Sequence, residues 1–174
     1  EGAEEEPAAG PSIAVLPFAD LSAAGDQEYL GDGVAEEILN VLASTEGLRV
    51  TSRTSAFAFK DRSLSIPEIA NILGVSHVVE GSIRKQGDRV RITGQLIEVA
   101  DDSHLWSDTF DADLGDIFRL QDQIAGNISQ ALSQRLGLAL PAATRARQDW
   151  DIAAYELYLR ARQLVVARAD YETA

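Results

Sequence analysis

The chain has 174 residues, 45% of them hydrophobic, enough for one domain with a short appendage and a sizeable core. Its formal charge of -13 opposes nucleic-acid binding, because that affinity comes largely from Lys and Arg displacing phosphate counterions. The absence of cysteine excludes disulfides, thiol catalysis and zinc–thiolate sites, and the sequence shows no run of about 18 apolar residues to span a membrane.

No basic-then-apolar leader opens the chain, and methionine is missing even at position 1, so we expect a fragment or processed product of a longer protein. Residues 1–11 are acidic and rich in Ala, Gly and Pro, too poor in large apolar groups to fold alone, and read as a linker. Residues 13–18 are an apolar run running through Pro17 into a polar loop, the pattern of a buried first strand. Leu30, Val34, Ile38, Val41 and Leu42 recur at helical spacing over about 27–44, with Gly47 at the stop. A second strand is expected at 48–52. Ser65-Ile66-Pro67-Glu68 then supplies an N-cap and an early Pro for a helix through Leu73, closed by Gly74. Helical connections between the first three strands imply parallel pairing with right-handed crossovers.

Residues 76–110 read as a three-stranded antiparallel meander. Hydrophobicity alternates along 78–86 and 89–99, and Gly87-Asp88 between them suits a two-residue hairpin. If Gln86 faces Arg89, then Ile83 meets Ile92, Gly81 meets Gly94 and Val79 meets Leu96 on one face. Arg84/Arg91, Ser82/Thr93 and Glu80/Gln95 pair on the other. A one-residue slip would send both sets to the wrong face, so the register is strongly specified. Trp106 on the fifth strand has no fixed side, because the loop around Asp101-Asp102 leaves that register open. Ile117, Leu120, Ile124, Ile128, Leu132 and Leu136 form one stripe of a long helix ending at Gly137, with Asp113 or Asp116 as its cap.

Past Pro141 the texture changes. Tyr155, Tyr158, Ala161 and Leu164 recur at three-residue steps, and residues 154–161 resemble the first helix of a tetratricopeptide repeat, with 170–174 resembling the start of the second. The alternative is a C-terminal helix docked on the domain. One repeat cannot bury its own apolar face, so a longer array is expected if the repeat reading holds.

Three ordered blocks resemble the TolB amino-terminal-like domain of bacterial signalling and envelope proteins over about 12–136. They are Ile13-Ala14-Val15-Leu16-Pro17-Phe18 with Tyr29-Leu30-Gly31-Asp32-Gly33; residues 73–84 running into Val90-Arg91-Ile92; and Leu105-Trp106-Ser107 with Asp116-Ile117-Phe118 and Leu120-Gln121-Asp122. The resemblance implies an α/β fold: a mixed five-stranded sheet of order 2-1-3-4-5 with helices on both faces, similar to anticodon-binding domains, plus a C-terminal helical extension. It divides the chain into a linker (1–11), the α/β domain (12–140) and a truncated repeat (141–174). It also implies a periplasmic portion of a membrane-anchored parent, some parents carrying an adenylate cyclase or winged-helix domain. No catalytic motif comes with it.

The candidate chemistry is sparse. Leu30-Gly31-Asp32-Gly33 lacks the strand-to-helix placement and following Lys of a phosphate loop, and reads instead as glycine that lets the first helix approach the sheet. Asp111, Asp113 and Asp116 lack EF-hand spacing. His77 and His104 are the sole imidazoles, and Ser82 lies within a strand rather than at a nucleophile elbow. Arg84 opposite Arg91 calls for a counter-charge, for which Asp108 is the internal candidate and an acidic partner or small anion the alternative. The Gly81/Gly94 pair leaves a hollow on the buried face, to be filled by a helix or a ligand. We therefore expect no enzyme, cofactor or metal in this stretch, and a protein-binding module acting through Arg84, Arg91, Trp106, Tyr155 and Tyr158. Self-association through the repeat-like helix is one mode; the alternative is a small-ligand sensor regulating an output domain such as a cyclase.

Overall fold

A computed structural model describes residues 10–138 and 152–171. The expected linker, apart from Gly10 and Pro11, lies outside the described residues, as do the domain boundary at 140 and residues 172–174 of the repeat motif.

Strand β1 (Ser12–Val15) is buried at every position and lies between β3 (Arg49–Val50) and β4 (His77–Gln86), parallel to both. Burial on both faces is why its sequence is an unbroken apolar run rather than an alternation. The sheet has six strands rather than five, in the order β3-β1-β4-β5-β6. The extra strand is β2 (Ala19–Asp20). Pro17 has no N–H to extend β1, and beyond it the chain re-enters the ladder for two residues, Ala19 and Asp20 pairing with Ser82 and Ile83 of β4.

Between the parallel strands lie α1 (Glu28–Ala43), α2 (Arg53–Phe57) and α3 (Ile66–Leu73). The α2 turn was not expected. Five residues are too few to show a helical period, although Ser52 supplies the signal by accepting from the Ser55 N–H (3.3 Å). The α3 start is a complete capping box: Ser65 Oγ accepts from the Glu68 N–H (3.4 Å) while the Glu68 carboxylate accepts from the Ser65 N–H (2.7 Å). Gly74 ends the helix at φ 65°, a conformation glycine adopts without strain.

Strand β4 pairs antiparallel with β5 (Arg89–Glu98) through the expected register, from Gln86↔Arg89 to Val79↔Leu96. Ile83, Ile92, Val79 and Leu96 have no exposed surface, and Arg84 and Arg91 lie opposite each other on the exposed face. Strand β6 (Ser103–Asp113) closes the meander, with a register shift at Leu96/Ile97 that pairs Leu96 with Trp106 and Ile97 with His104. A 3₁₀ turn (Leu114–Asp116) leads into α4 (Ile117–Leu136), which Gly137 ends at φ 66°. Asp113 and Asp116 precede these two elements, but neither side chain makes a capping hydrogen bond. Each instead faces an arginine, Asp113 with Arg89 (3.5 Å) and Asp116 with Arg119 (3.2 Å).

Helices α1 and α4, joined by α5 (Ile152–Tyr171), cover one face of the sheet, while α2 and α3 cover the start of β4 and β1 on the other. The two cores differ in size. The first gathers Phe18, Ile83, Ile92, Leu96 and the stripes of α1 and α4; the second is a small cluster around Ala14, Val78, Ile69 and Ala70. The rest of the second face, on β4, β5 and β6, carries Arg84, Arg91, Thr93 and Thr109 toward solvent.

Candidate interaction surfaces

The expected hollow at Gly81 and Gly94 is filled from within. A Cβ at Gly81 would lie 2.3 Å from the Thr93 carbonyl oxygen and 2.5 Å from the Phe18 ring, and one at Gly94 would lie 3.1 Å from the Trp106 ring. Phe18, swung inward by the loop that Pro17 opens, occupies one half. Trp106 and Ile124 of α4 occupy the other, so the pair offers no ligand cleft. Trp106 thus lies on the core side, partly exposed, with its ring 6.2 Å from that of Phe110.

The glycines of Leu30-Gly31-Asp32-Gly33 also serve close approach. A Cβ on Gly31 would stand 2.5 Å from the Phe18 carbonyl oxygen, and one on Gly33 would stand 2.6 Å from Leu159 of α5. Asp32 pairs with Lys60 (2.6 Å), which also reaches Glu28 (2.5 Å). Burial works against the Lys60 ammonium, yet the two carboxylates outweigh it and hold its pKa above the ordinary value.

On the outer sheet face, the counter-charge for Arg91 is Asp111 and not Asp108. Arg91 Nε and its terminal nitrogen donate to the two Asp111 oxygens at 2.7 and 2.8 Å, and this bidentate pair holds the Asp111 carboxyl below its usual range. Register decides it. Asp111 stands opposite Arg91, whereas Asp108 stands opposite Gly94 on the other face. Arg84 is exposed and has no ion-pair partner among the described residues.

Helix α5 divides the two tyrosines. Tyr155 is only 4% exposed: its ring packs on Phe118 (centroids 4.5 Å apart), its hydroxyl accepts from Gln121 (3.4 Å), and burial drives its pKa far above the ordinary phenol value. It is therefore a docking residue and not a free contact surface. Leu159 fills the space over Gly33, Arg160 lies over the Tyr29 ring (4.7 Å), and Arg162 pairs with Glu36. The sequence did not single out Leu159, Arg162 or Glu36. Their signal was the i, i+4 spacing of Tyr155 and Leu159, masked by the three-residue steps of Tyr158, Ala161 and Leu164. Those lie outward, with Leu157, Tyr158, Leu164 and Val165 exposed at 69, 46, 72 and 68%. Helix α5 also runs unbroken through Asp170 and Tyr171, where a second repeat helix was expected to start.

The two imidazoles are separated. His104 is exposed on β6; His77 is 3% exposed, its Nδ1 2.9 Å from Ser76 Oγ, and Ser76 Oγ is 3.0 Å from the Ser12 carbonyl oxygen. That serine is engaged in joining β1 to β4. Asp111, Asp113 and Asp116 each face an arginine, and among the described residues no group of three or more acidic or imidazole side chains is placed to hold a metal.

An open groove of about 270 Å³ lies between β6 and α4, lined by Thr109, Phe110, Asp111 and Ala112 on the strand and Asp116, Arg119, Leu120 and Gln123 on the helix side.

Similarity to known proteins adds context. A curated relative named "Putative adenylate cyclase 3" from Rhizobium meliloti (strain 1021) is 39% identical over 158 residues, covering 91% of this chain and 27% of that protein. The chain therefore spans about a quarter of the length of that relative. Among solved structures, TolB from Acinetobacter baumannii matches at TM-score 0.54 and 18% identity over 72% of this chain and 29% of its own, so the fold is TolB-like. The LpoB C-terminal domain from Salmonella enterica matches at TM-score 0.47 and 18% identity, over 63% of this chain and 87% of its own. No helix among the described residues is long and apolar enough to cross a membrane. The profile of the HilA/YgeH-like transcriptional regulator family, second domain, matches residues 9–127, and the chain belongs to that family.

Proposed function

We propose that this chain is a non-catalytic interaction module of a larger bacterial regulatory protein, working through protein contacts. The observation that carries the reading is the two-faced build of α5. Tyr155 and Leu159 anchor one side on the domain, while Leu157, Leu164 and Val165 present an apolar stripe, 69, 72 and 68% exposed, on the other. Such a stripe is the usual mark of a helix that packs on a further helix or another chain. A following helical repeat of the parent is the occupant this reading favours, and self-association through the same stripe is its other mode. Family membership as a second domain supports a module inside a longer protein, as does the long relative with a cyclase name. On the same reading the parent is membrane-anchored, with this module on the periplasmic side; the three TolB-like sequence blocks support that placement.

A small-ligand sensor acting on a cyclase is the second reading, favoured by the relative's name alone. It has lost the Gly81/Gly94 cleft, which Phe18 and Trp106 fill. The test is a Leu157→Glu, Leu164→Glu double variant, followed by ultracentrifugation of the chain alone and with the segments that flank it in its parent. We expect an unchanged thermal midpoint and loss of association. Association unaffected by the variant, or a midpoint raised by a metabolite in proportion to log concentration, would favour the sensor instead.

A further inference from the structure

Strand β6 is eleven residues long and stands at the end of the sheet, paired on one side only. The two-residue turn at Gly87-Asp88 makes Gln86↔Arg89 a hydrogen-bonded pair, and alternation along β5 then aims residues 90, 92, 94 and 96 at β6. Their partners Ala112, Phe110, Asp108 and Trp106 spend their backbone groups on that ladder. Ser107, Thr109, Asp111 and Asp113 therefore turn their N–H and C=O groups outward. One of these donors shows the direction: the Thr109 N–H is taken by the carboxylate of its neighbour Asp108 at 2.8 Å. The shift in the ladder lies at Leu96/Ile97, so the 106–113 stretch runs without a bulge to twist it out of pairing geometry. The groove described above runs beside two of these four residues, Thr109 and Asp111, with Phe110 and Leu120 as its apolar floor.

Charge decides what can lie there. From Glu98 to Phe118 the chain carries seven carboxylates and no Lys or Arg, the next being Arg119 in the first turn of α4. Four arginines, Arg89, Arg91, Arg119 and Arg135, neutralise four of the seven. Asp101, Asp102 and Asp108 face no Lys or Arg at ion-pair distance among the described residues. A second copy of this chain would bring the β6 aspartates against their own kind, and like charges opposed across strands are unfavourable. The acids thus guard the edge against self-pairing and leave it open to the opposite charge.

We propose that β6 accepts an extended, basic segment of a partner protein by strand addition, with a Lys or Arg side chain meeting Asp108 and, two residues along on the same face, an apolar side chain seated on Phe110 and Leu120. This names the chemistry of one partner and rests on the interaction-module reading. Its probe is a peptide of about ten residues repeating Lys-Thr-Val-Thr, which sets lysine and valine in turn along one face, against the same peptide with glutamate for lysine. Amide exchange of the whole chain, followed by NMR, is the readout. The basic peptide slows exchange at Ser107 and Asp111, its affinity falls steeply with added salt, and the acidic peptide does neither. Thr109→Pro removes the outward donor while leaving the ladder to β5 intact, and it abolishes the protection. Asp108→Lys, at an exposed position, is the second variant should the proline fail to fold, and it weakens the basic peptide by at least tenfold. Equal binding of both peptides, protection mapping away from β6, or binding that survives both variants would each overturn the assignment. If those results come while the α5 stripe still associates, the edge is lost and the module reading stands.

Discussion

The interior of the sheet and its open edge are held by different physics. Across β1, β4 and β5 the fit is steric: Phe18 lies against Gly81, Gly31 against the Phe18 carbonyl, and Ile83 against Ile92, with no room for an added methyl group. Along β6 the same sheet is held by one ladder and by arginine–aspartate pairs in water. The first kind of contact sets stability, because close-packed atoms cannot shift cheaply. The second sets which partners can approach, because exposed ion pairs contribute little to folding and respond to salt. Function in this chain is therefore to be sought where stability is least invested. The opposite edge makes the point by contrast. Strand β3 is two residues long, and the Arg49 side chain crosses to donate to the Gly74 carbonyl oxygen, leaving little edge to extend.

The largest effect should come from Gly81→Val. The first added carbon would sit 2.3 Å from the Thr93 carbonyl oxygen, so backbone must move, and the loss in stability should reach the upper end of about 1–3 kcal/mol or exceed it. Urea unfolding measures this, and a loss below about 0.5 kcal/mol would remove the steric half of the comparison.

An intermediate effect belongs to His77, which is buried in the interior. Burial pushes its pKa below the ordinary histidine value, against the pull of Glu98 and with the repulsion of Arg135. The unfolded chain then binds the proton more readily than the folded one. The stability that the neutral ring allows is complete above its ordinary pKa of about 6.5, and it is lost as pH falls through that value toward the folded pKa. The gap in stability between the native chain and His77→Gln should narrow between about pH 7 and pH 5, and parallel curves would show that the ring titrates as though exposed.

The smallest effect should be Asp111→Asn. The Arg91 pair is bidentate but solvent-exposed, so the unfolding midpoint should hardly move while exchange at the β6 edge changes. A large fall in stability would mean that the edge shares the interior's role.

Legibility in the sequence follows the same division. The β4–β5 register could be read because alternation and a two-residue turn leave no second solution, and α3 could be read from Ser65, Pro67 and Gly74. The β6 register could not, because the ladder shifts at Leu96/Ile97 and Asp102 turns at φ 54°, a local choice that no pattern encodes. That shift decides which acid meets Arg91, and so Asp108 was expected where Asp111 stands. Tyr155 was misplaced for a related reason: periodicity finds the faces of a helix but not which face docks. The answer lay in Gly33, whose missing side chain admits Leu159 and thereby turns Tyr155 inward.

The most direct measurement is native-state amide exchange along β6 in the unliganded chain. Ser107, Asp111 and Asp113 should exchange fast while Trp106, Phe110 and Ala112 exchange slowly with the sheet, a period of two along one strand. Uniform protection, or uniform fast exchange, would contradict an edge that is ordered on its inner side and open on its outer one.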